Sequence, residues 1–179
     1  MDTRQTLRFE DFHSPLTGAY LKTLQIFHFA MALGVLVFLF AVLFYFVFEG
    51  GGTPRAGNDD LVLLLTIAHV VYGFLAYPVA WFLHGRLLRR AFTEGRSGGS
   101  AMAVLGGLRT ASIIRLAFLE GIAFFGLVVL FIAIQGGVLQ TTPIYWLNLY
   151  STLIMLAYVL LFFPTRERVE ALIRSMIAG

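Results

Sequence analysis

The chain has 179 residues, 59% of them hydrophobic and 13% charged, with a formal net charge of +3 and no cysteine. Soluble domains carry about a quarter charged residues, so an ordinary soluble fold is excluded, and the missing cysteines exclude disulfides, thiolate metal sites and thiol nucleophiles. Nucleic acid is not an expected partner, because the cations flank apolar runs and face anionic lipid headgroups instead.

Residues 1–22 mix Arg4, Arg8, Glu10, Asp11 and His13 with Leu7, Phe9, Phe12 and Leu16, and Ser14-Pro15 is a turn or helix-start signal. This segment reads as a cytoplasmic arm on the membrane surface. Four apolar runs follow, at 23–48, 61–84, 112–135 and 143–163. Each supplies the roughly 20 residues needed to carry a helix across a hydrocarbon layer about 30 Å thick. The first is too long for a signal peptide. Of the 13 lysines and arginines, only Arg55 lies in a gap of the opposite parity; the rest cluster at Arg4, Arg8 and Lys22, at Arg86 to Arg115, and at Arg166 to Arg174. The positive-inside bias therefore places both termini and the central loop in the cytoplasm.

The first outer loop, from Glu49 through Gly50, Gly51, Gly52 and Pro54 to Asp60, is dense in helix breakers, and the second, from Gly136 to Thr142, is short. Short connections predict that spans one and two, and spans three and four, are antiparallel neighbours. The central loop carries Gly95-Arg96-Ser97-Gly98-Gly99-Ser100, a flexible linker by composition, and residues 101–107 extend helix three beyond the membrane. Tyr45, Tyr145 and Trp146 fall near the outer boundary, and Tyr20 and Trp81 near the inner one, as an interfacial aromatic belt predicts. Beyond Pro164, the residues Val169, Leu172, Ile173, Met176 and Ile177 recur at helical spacing opposite Arg166, Arg168, Glu170 and Arg174. Residues 164–179 thus read as an amphipathic interfacial helix. The expected fold is all-α, a four-helix transmembrane bundle with the N- and C-termini inside.

Glu120 is the only acid placed well inside a span. With helix three entering near Ser112, it lies roughly 12 Å deep at 1.5 Å per residue. At that depth an ionisable group faces the bundle interior. Ala117, Gly121 and Ala123 surround it as small residues suited to close helix packing. Counting depths from the cytoplasmic side brings His28, Tyr77 and Tyr158 near the same level, so these four side chains are the candidates for a buried polar layer or for proton and ion handling. Arg115 is expected to reach lipid headgroups rather than pair with Glu120, alongside Arg86, Arg89, Arg90, Arg166 and Arg168. His69 is expected to bond with Asn148, Tyr150 or Ser151 on span four. Asp59 and Asp60 either solvate a loop or cap the start of helix two.

The run Leu116-Ala117-Phe118-Leu119-Glu120-Gly121-Ile122-Ala123-Phe124-Phe125-Gly126-Leu127-Val128 resembles the carboxylate helix of the ATP synthase c-ring proteolipid, with Arg109 where that family often has a basic residue. The resemblance implies that Glu120 is a reversible proton or sodium carrier. It covers one helix, and the glycine repeat that packs the family's inner ring has no counterpart in these spans. The whole chain also looks like a loose group of small, functionally uncharacterised bacterial four-span proteins, through Leu119-Glu120-Gly121 and the Phe-Pro-Thr-Arg-Glu-Arg exit at 163–168. That likeness implies no activity.

No H-E-x-x-H, G-x-S-x-G or P-loop pattern occurs, and no acidic pair inside the spans offers a metal site, so neither an enzyme nor a bound cofactor or metal is expected. Haem in a bundle needs two imidazoles at one depth on facing helices. His28 and His69 lie in different leaflets and His84 at the boundary, leaving a haem or quinone site through His28 as the third choice. The leading expectation is a non-catalytic subunit or scaffold that forms a homo-oligomer or joins other membrane subunits. Its rival is a proton- or sodium-translocating proteolipid.

Overall fold

The computed structural model describes residues 8–12, 19–49, 58–98 and 100–178. Among them are five α-helices, α1 (Ala19–Glu49), α2 (Asn58–Gly98), α3 (Ala101–Gln135), α4 (Tyr150–Leu161) and α5 (Arg166–Ala178), with 3-10 helices at Phe9–Phe12 and Pro143–Leu149 and no strand. The breaker-rich stretch 50–57 and the Ser14-Pro15 signal lie outside the described residues. Every apolar run is helical. In hydrocarbon a backbone can satisfy its N–H and C=O groups only within its own helix or a closed barrel, and these runs are too long for strands.

Helix α3 is the centre of the molecule. It packs along α2 and also contacts α1 and α4. Half of its most apolar stretch is buried, against 17% for α1, so α3 is enclosed by the others while α1 turns most of its surface outward. Spans three and four are neighbours as their short connection predicts. Spans one and two are not: α1 lies against α3 and α4, and its contact with α2 is slight. Loop length limits how far apart two helices can lie, but the burial of α3's apolar surface decides the order.

The central linker also departs from expectation. Residues 95–98 lie inside α2, and Ser100 alone of the described residues separates it from α3. The Ser100 side chain accepts from the Ala103 N–H as an N-cap, and the Ser100 N–H donates to the Gly95 carbonyl at 3.1 Å. Gly95 is required by proximity rather than flexibility, since a Cβ there would stand 2.2 Å from Val104 Cγ2. About one turn further along the pair, a Cβ on Gly107 would meet the Ala91 Cβ at 2.1 Å. Gly95, from the expected linker, and Gly107, from the expected extension of helix three, let two long helices form a tight hairpin. As predicted, residues 101–107 extend the third helix. At 41 and 35 residues, α2 and α3 exceed the roughly 20 that a bilayer needs, so the hairpin projects beyond the hydrocarbon at the end carrying most of the arginines, here termed the basic end.

The fourth span is composite. Seven 3-10 residues at about 2 Å each and twelve α residues at about 1.5 Å reach roughly 32 Å, enough to cross. Pro143 opens the 3-10 segment, and the Asn148 side chain holds its winding by donating to the Tyr145 carbonyl at 3.0 Å.

At the basic end one cluster joins Phe12, Leu24 of α1, Leu88 of α2, Leu105 and Leu108 of α3, and Val169 and Ile173 of α5. The apolar side of α5 therefore packs on protein, as does Phe12 from the N-terminal segment. Arg174 lies 4.4 Å over the Phe9 ring, and the Gln25 amide donates to the Pro164 carbonyl at 3.0 Å. At the opposite end Tyr145 is buried and donates to the Asp59 carboxylate at 2.6 Å, so this tyrosine ties the fourth span to the start of α2 rather than facing a membrane boundary.

Candidate functional site

Glu120 is half-buried on α3, and its Oε1 lies 3.6 Å from where a Cβ on Gly34 of α1 would stand. Gly34 makes room for the carboxylate in the α1–α3 seam. No hydrogen bond or ion pair joins Glu120 to any described residue. The expected four-member layer does not assemble around it. His28 Nδ1 bonds to the Leu24 carbonyl at 2.9 Å, and its ring meets Phe163 edge-on. Tyr77 packs beside Met155 and Leu127 with its hydroxyl buried and unpartnered. Tyr158 stacks on Phe162 with ring centroids 5.1 Å apart. The reason is geometric. Gly34, the residue facing Glu120, is six positions from His28, about 9 Å along the helix. Counting depth from apolar-run boundaries also says nothing about azimuth.

Of the three small residues expected to pack around Glu120, only Ala123 does so within the chain. Ala117 and Gly121 are exposed, and nothing comes within 4 Å of a Cβ placed on Gly121. Positions 117, 121 and 128 form one outward stripe, whereas Leu116, Leu119, Ala123, Gly126 and Leu130 face inward.

The closest approach of backbone and polar side chains occurs nearer the opposite end. His69 of α2 is fully buried, with Nδ1 2.9 Å from Asn148 Oδ1 and Nε2 2.9 Å from Ser151 Oγ. Asn148 donates to Thr66 Oγ1 at 2.9 Å and to the Tyr145 carbonyl at 3.0 Å. Because that carbonyl can only accept, the amide nitrogen must face it, which turns Oδ1 towards His69. His69 then donates from Nδ1 and accepts the Ser151 proton at Nε2, so a neutral ring satisfies every bond. Tyr150 donates to the His69 backbone carbonyl at 3.4 Å. The expected partners Asn148, Tyr150 and Ser151 all engage His69. Gly126 was not among the expected packing residues, yet a Cβ there would lie 2.3 Å from the Asn148 carbonyl and 2.6 Å from His69 Cε1. A Cβ on Gly73 would similarly stand 2.0 Å from the Tyr150 hydroxyl. Asn148–His69–Ser151 has the connectivity of an orienting group, base and nucleophile. All three are fully buried and α3 closes on the ring at Gly126, so no space adjoins the serine for a carbonyl substrate.

Towards the basic end, Arg115 of α3 is 8% exposed. Its guanidinium carbon lies 4.0 Å over the Trp81 ring, 4.4 Å over Tyr158 and 5.9 Å over Phe162. The side chain is thus folded under rings of α2 and α4 instead of extending outward, although it makes no pair with Glu120, as expected. Arg86, Arg89, Arg90, Arg166 and Arg168 are exposed. Arg90 pairs with Glu94 at 2.7 Å, Arg166 with Glu170 at 2.7 Å, and Arg168 donates to the carbonyls of Leu161 and Phe163 at the end of α4. Among the described residues, no cluster of three or more His, Asp or Glu side chains is arranged to hold a metal.

Four helices long and apolar enough to cross a bilayer make this a small multi-pass membrane protein. Comparison with protein families, curated proteins and solved structures finds no match.

Proposed function

We propose that this protein is a non-catalytic subunit or scaffold of the bacterial inner membrane, with both termini and the α2–α3 hairpin in the cytoplasm. It assembles with its own copies or with other membrane subunits, and its basic end meets anionic headgroups. The observation that carries this reading is the closed His69–Asn148–Ser151–Thr66 network. His69, Asn148 and Ser151 are fully buried there, and their bonds hold α2 and the fourth span together. The large outward face of α1, including Phe29, Phe40 and Phe44, suits lipid or a neighbouring subunit. The two-faced α5 sits at the interface with Arg166, Arg168 and Arg174 towards headgroups. Extraction in mild detergent followed by native mass measurement tests the reading. A mass above that of one chain is expected, and a strictly monomeric particle without partners overturns it.

A second reading is supported by Glu120, whose carboxylate stands in the α1–α3 seam without a hydrogen-bonding partner. In that reading it carries a proton or sodium ion, as the likeness of its helix to the c-ring proteolipid implies. Dicyclohexylcarbodiimide attacks protonated carboxyls in lipid. Labelling confined to Glu120 and suppressed by sodium or high pH supports the carrier, and absence of labelling removes it. A haem or quinone at His28 has less support, because Phe163 rather than a second imidazole packs on that ring.

A further inference from the structure

We infer that Arg115 is the centre of a discrete phosphate site, built to hold the headgroup of one anionic lipid at the basic end of the bundle. The inference rests on the membrane-spanning reading above and not on the subunit role. Aromatic faces over a guanidinium satisfy its charge but not its N–H fork, because the donors lie in the guanidinium plane and point away along its edges. Three rings lie over Arg115, yet it makes no hydrogen bond or ion pair with any described residue. Its nitrogens are not among the buried polar atoms sealed without partners, so the fork opens onto a remaining sliver of accessible surface.

Five donors with no protein acceptor, 92% of the side chain enclosed, call for an oxygen-rich anion that can be bound two-pronged, and phosphate fits that geometry. The depth fits too. Arg115 lies three residues, about 4.5 Å, past Ser112, where the apolar run begins. The surroundings point to a lipid rather than a solute: Trp81 and Phe162 are largely exposed on their outer sides and offer an apolar wall for acyl chains. Arg168, bonded to the carbonyls on either side of Phe162, brings a second cation to the same helix end. Glu120, the nearest acid along α3, is five residues further in, so no protein carboxylate competes for the fork.

The test uses the full chain with Trp146 replaced by Phe, leaving Trp81 as its single tryptophan reporter. The chain with Arg115 intact is expected to shift its Trp81 emission when phosphatidylglycerol is added in phosphate-free maltoside micelles. In native mass spectra it is expected to retain one phosphatidylglycerol. Arg115→Gln should weaken retention by about tenfold, the loss of a charge-assisted pair, and Arg115→Lys should weaken it partly. Arg109→Gln, at an exposed position of α3 six residues from Arg115, should leave it unchanged. Inorganic phosphate added to the same micelles without phosphatidylglycerol separates the sources: a Trp81 response to phosphate alone keeps the phosphate site and overturns its assignment to lipid. Equal retention by wild type and Arg115→Gln, or a Trp81 emission indifferent to both ligands, overturns the site. The emission arm leaves Arg115 unmutated, so it decides even where Arg115→Gln does not fold. A monomer that keeps its lipid refutes the subunit reading alone.

Discussion

The two halves of the bundle treat most of their polar groups in opposite ways, the buried and unpartnered Thr152 hydroxyl beside Ser151 being an exception on the closed side. Near the opposite end, His69, Asn148, Ser151 and Thr66 satisfy one another, and Gly126 and Gly73 let backbone and rings close over them. Towards the basic end, and among the described residues, Glu120 has no hydrogen bond, Arg115 has rings but no acceptor, and the hydroxyl of Tyr77 and Nδ1 of His84 are buried without partners. A satisfied network in low dielectric fixes helix register, whereas an unsatisfied group is costly unless something outside the chain completes it. The closed half is therefore assigned to architecture and the open half to whatever the protein meets.

The sharpest way to break this division is Gly126→Leu. The atoms in its path are a backbone carbonyl and a ring bonded at both nitrogens, neither able to yield, so a loss of about 3 kcal/mol or outright misfolding is expected in thermal unfolding in detergent. Wild-type stability in that variant would show the closed half to be loose. Asn148→Leu comes next: it strands His69 Nδ1, Thr66 and the Tyr145 carbonyl and should cost about 2 kcal/mol. Adding His69→Leu should cost less than the two separate losses together, because both belong to one network. Thr66→Val removes a single bond and should cost about 0.6 kcal/mol, a typical value for helix–helix hydrogen bonds in bilayers.

Glu120→Gln is the complementary probe. It breaks no hydrogen bond or ion pair, so unfolding should change by less than about 0.5 kcal/mol. A loss as large as that of Asn148→Leu would mean that the carboxylate is an architectural group after all, and the contrast between halves would collapse. Smallest of all, Arg90→Ala removes an exposed pair with Glu94 on the projecting hairpin, and no measurable change in unfolding temperature is expected.

Much of the architecture was legible from the chain. Run lengths gave the number of spans, and the helical spacing of Val169 and Ile173 gave the apolar side of the last helix. His69 was expected to bond with Asn148, Tyr150 or Ser151, and all three engage it. The linker reading of 95–100 failed because glycine is ambiguous: it loosens a free chain, but it also permits contact as close as that between Gly95 and Val104. The polar layer around Glu120 failed because a position along a helix fixes height, while the partner depends on rotation and on which neighbour is adjacent.

Sequence by itself determined that the chain spans a membrane four times, since hydrocarbon accepts only long apolar segments with internally bonded backbones. It also determined where the charges must gather. Tertiary structure alone decided that α3 is central, that Glu120 faces Gly34, and that Arg115 is roofed by Trp81 and Tyr158. Those choices turn on the azimuth of each helix, which packing against neighbours sets and which nearly uniform apolar spans leave unmarked.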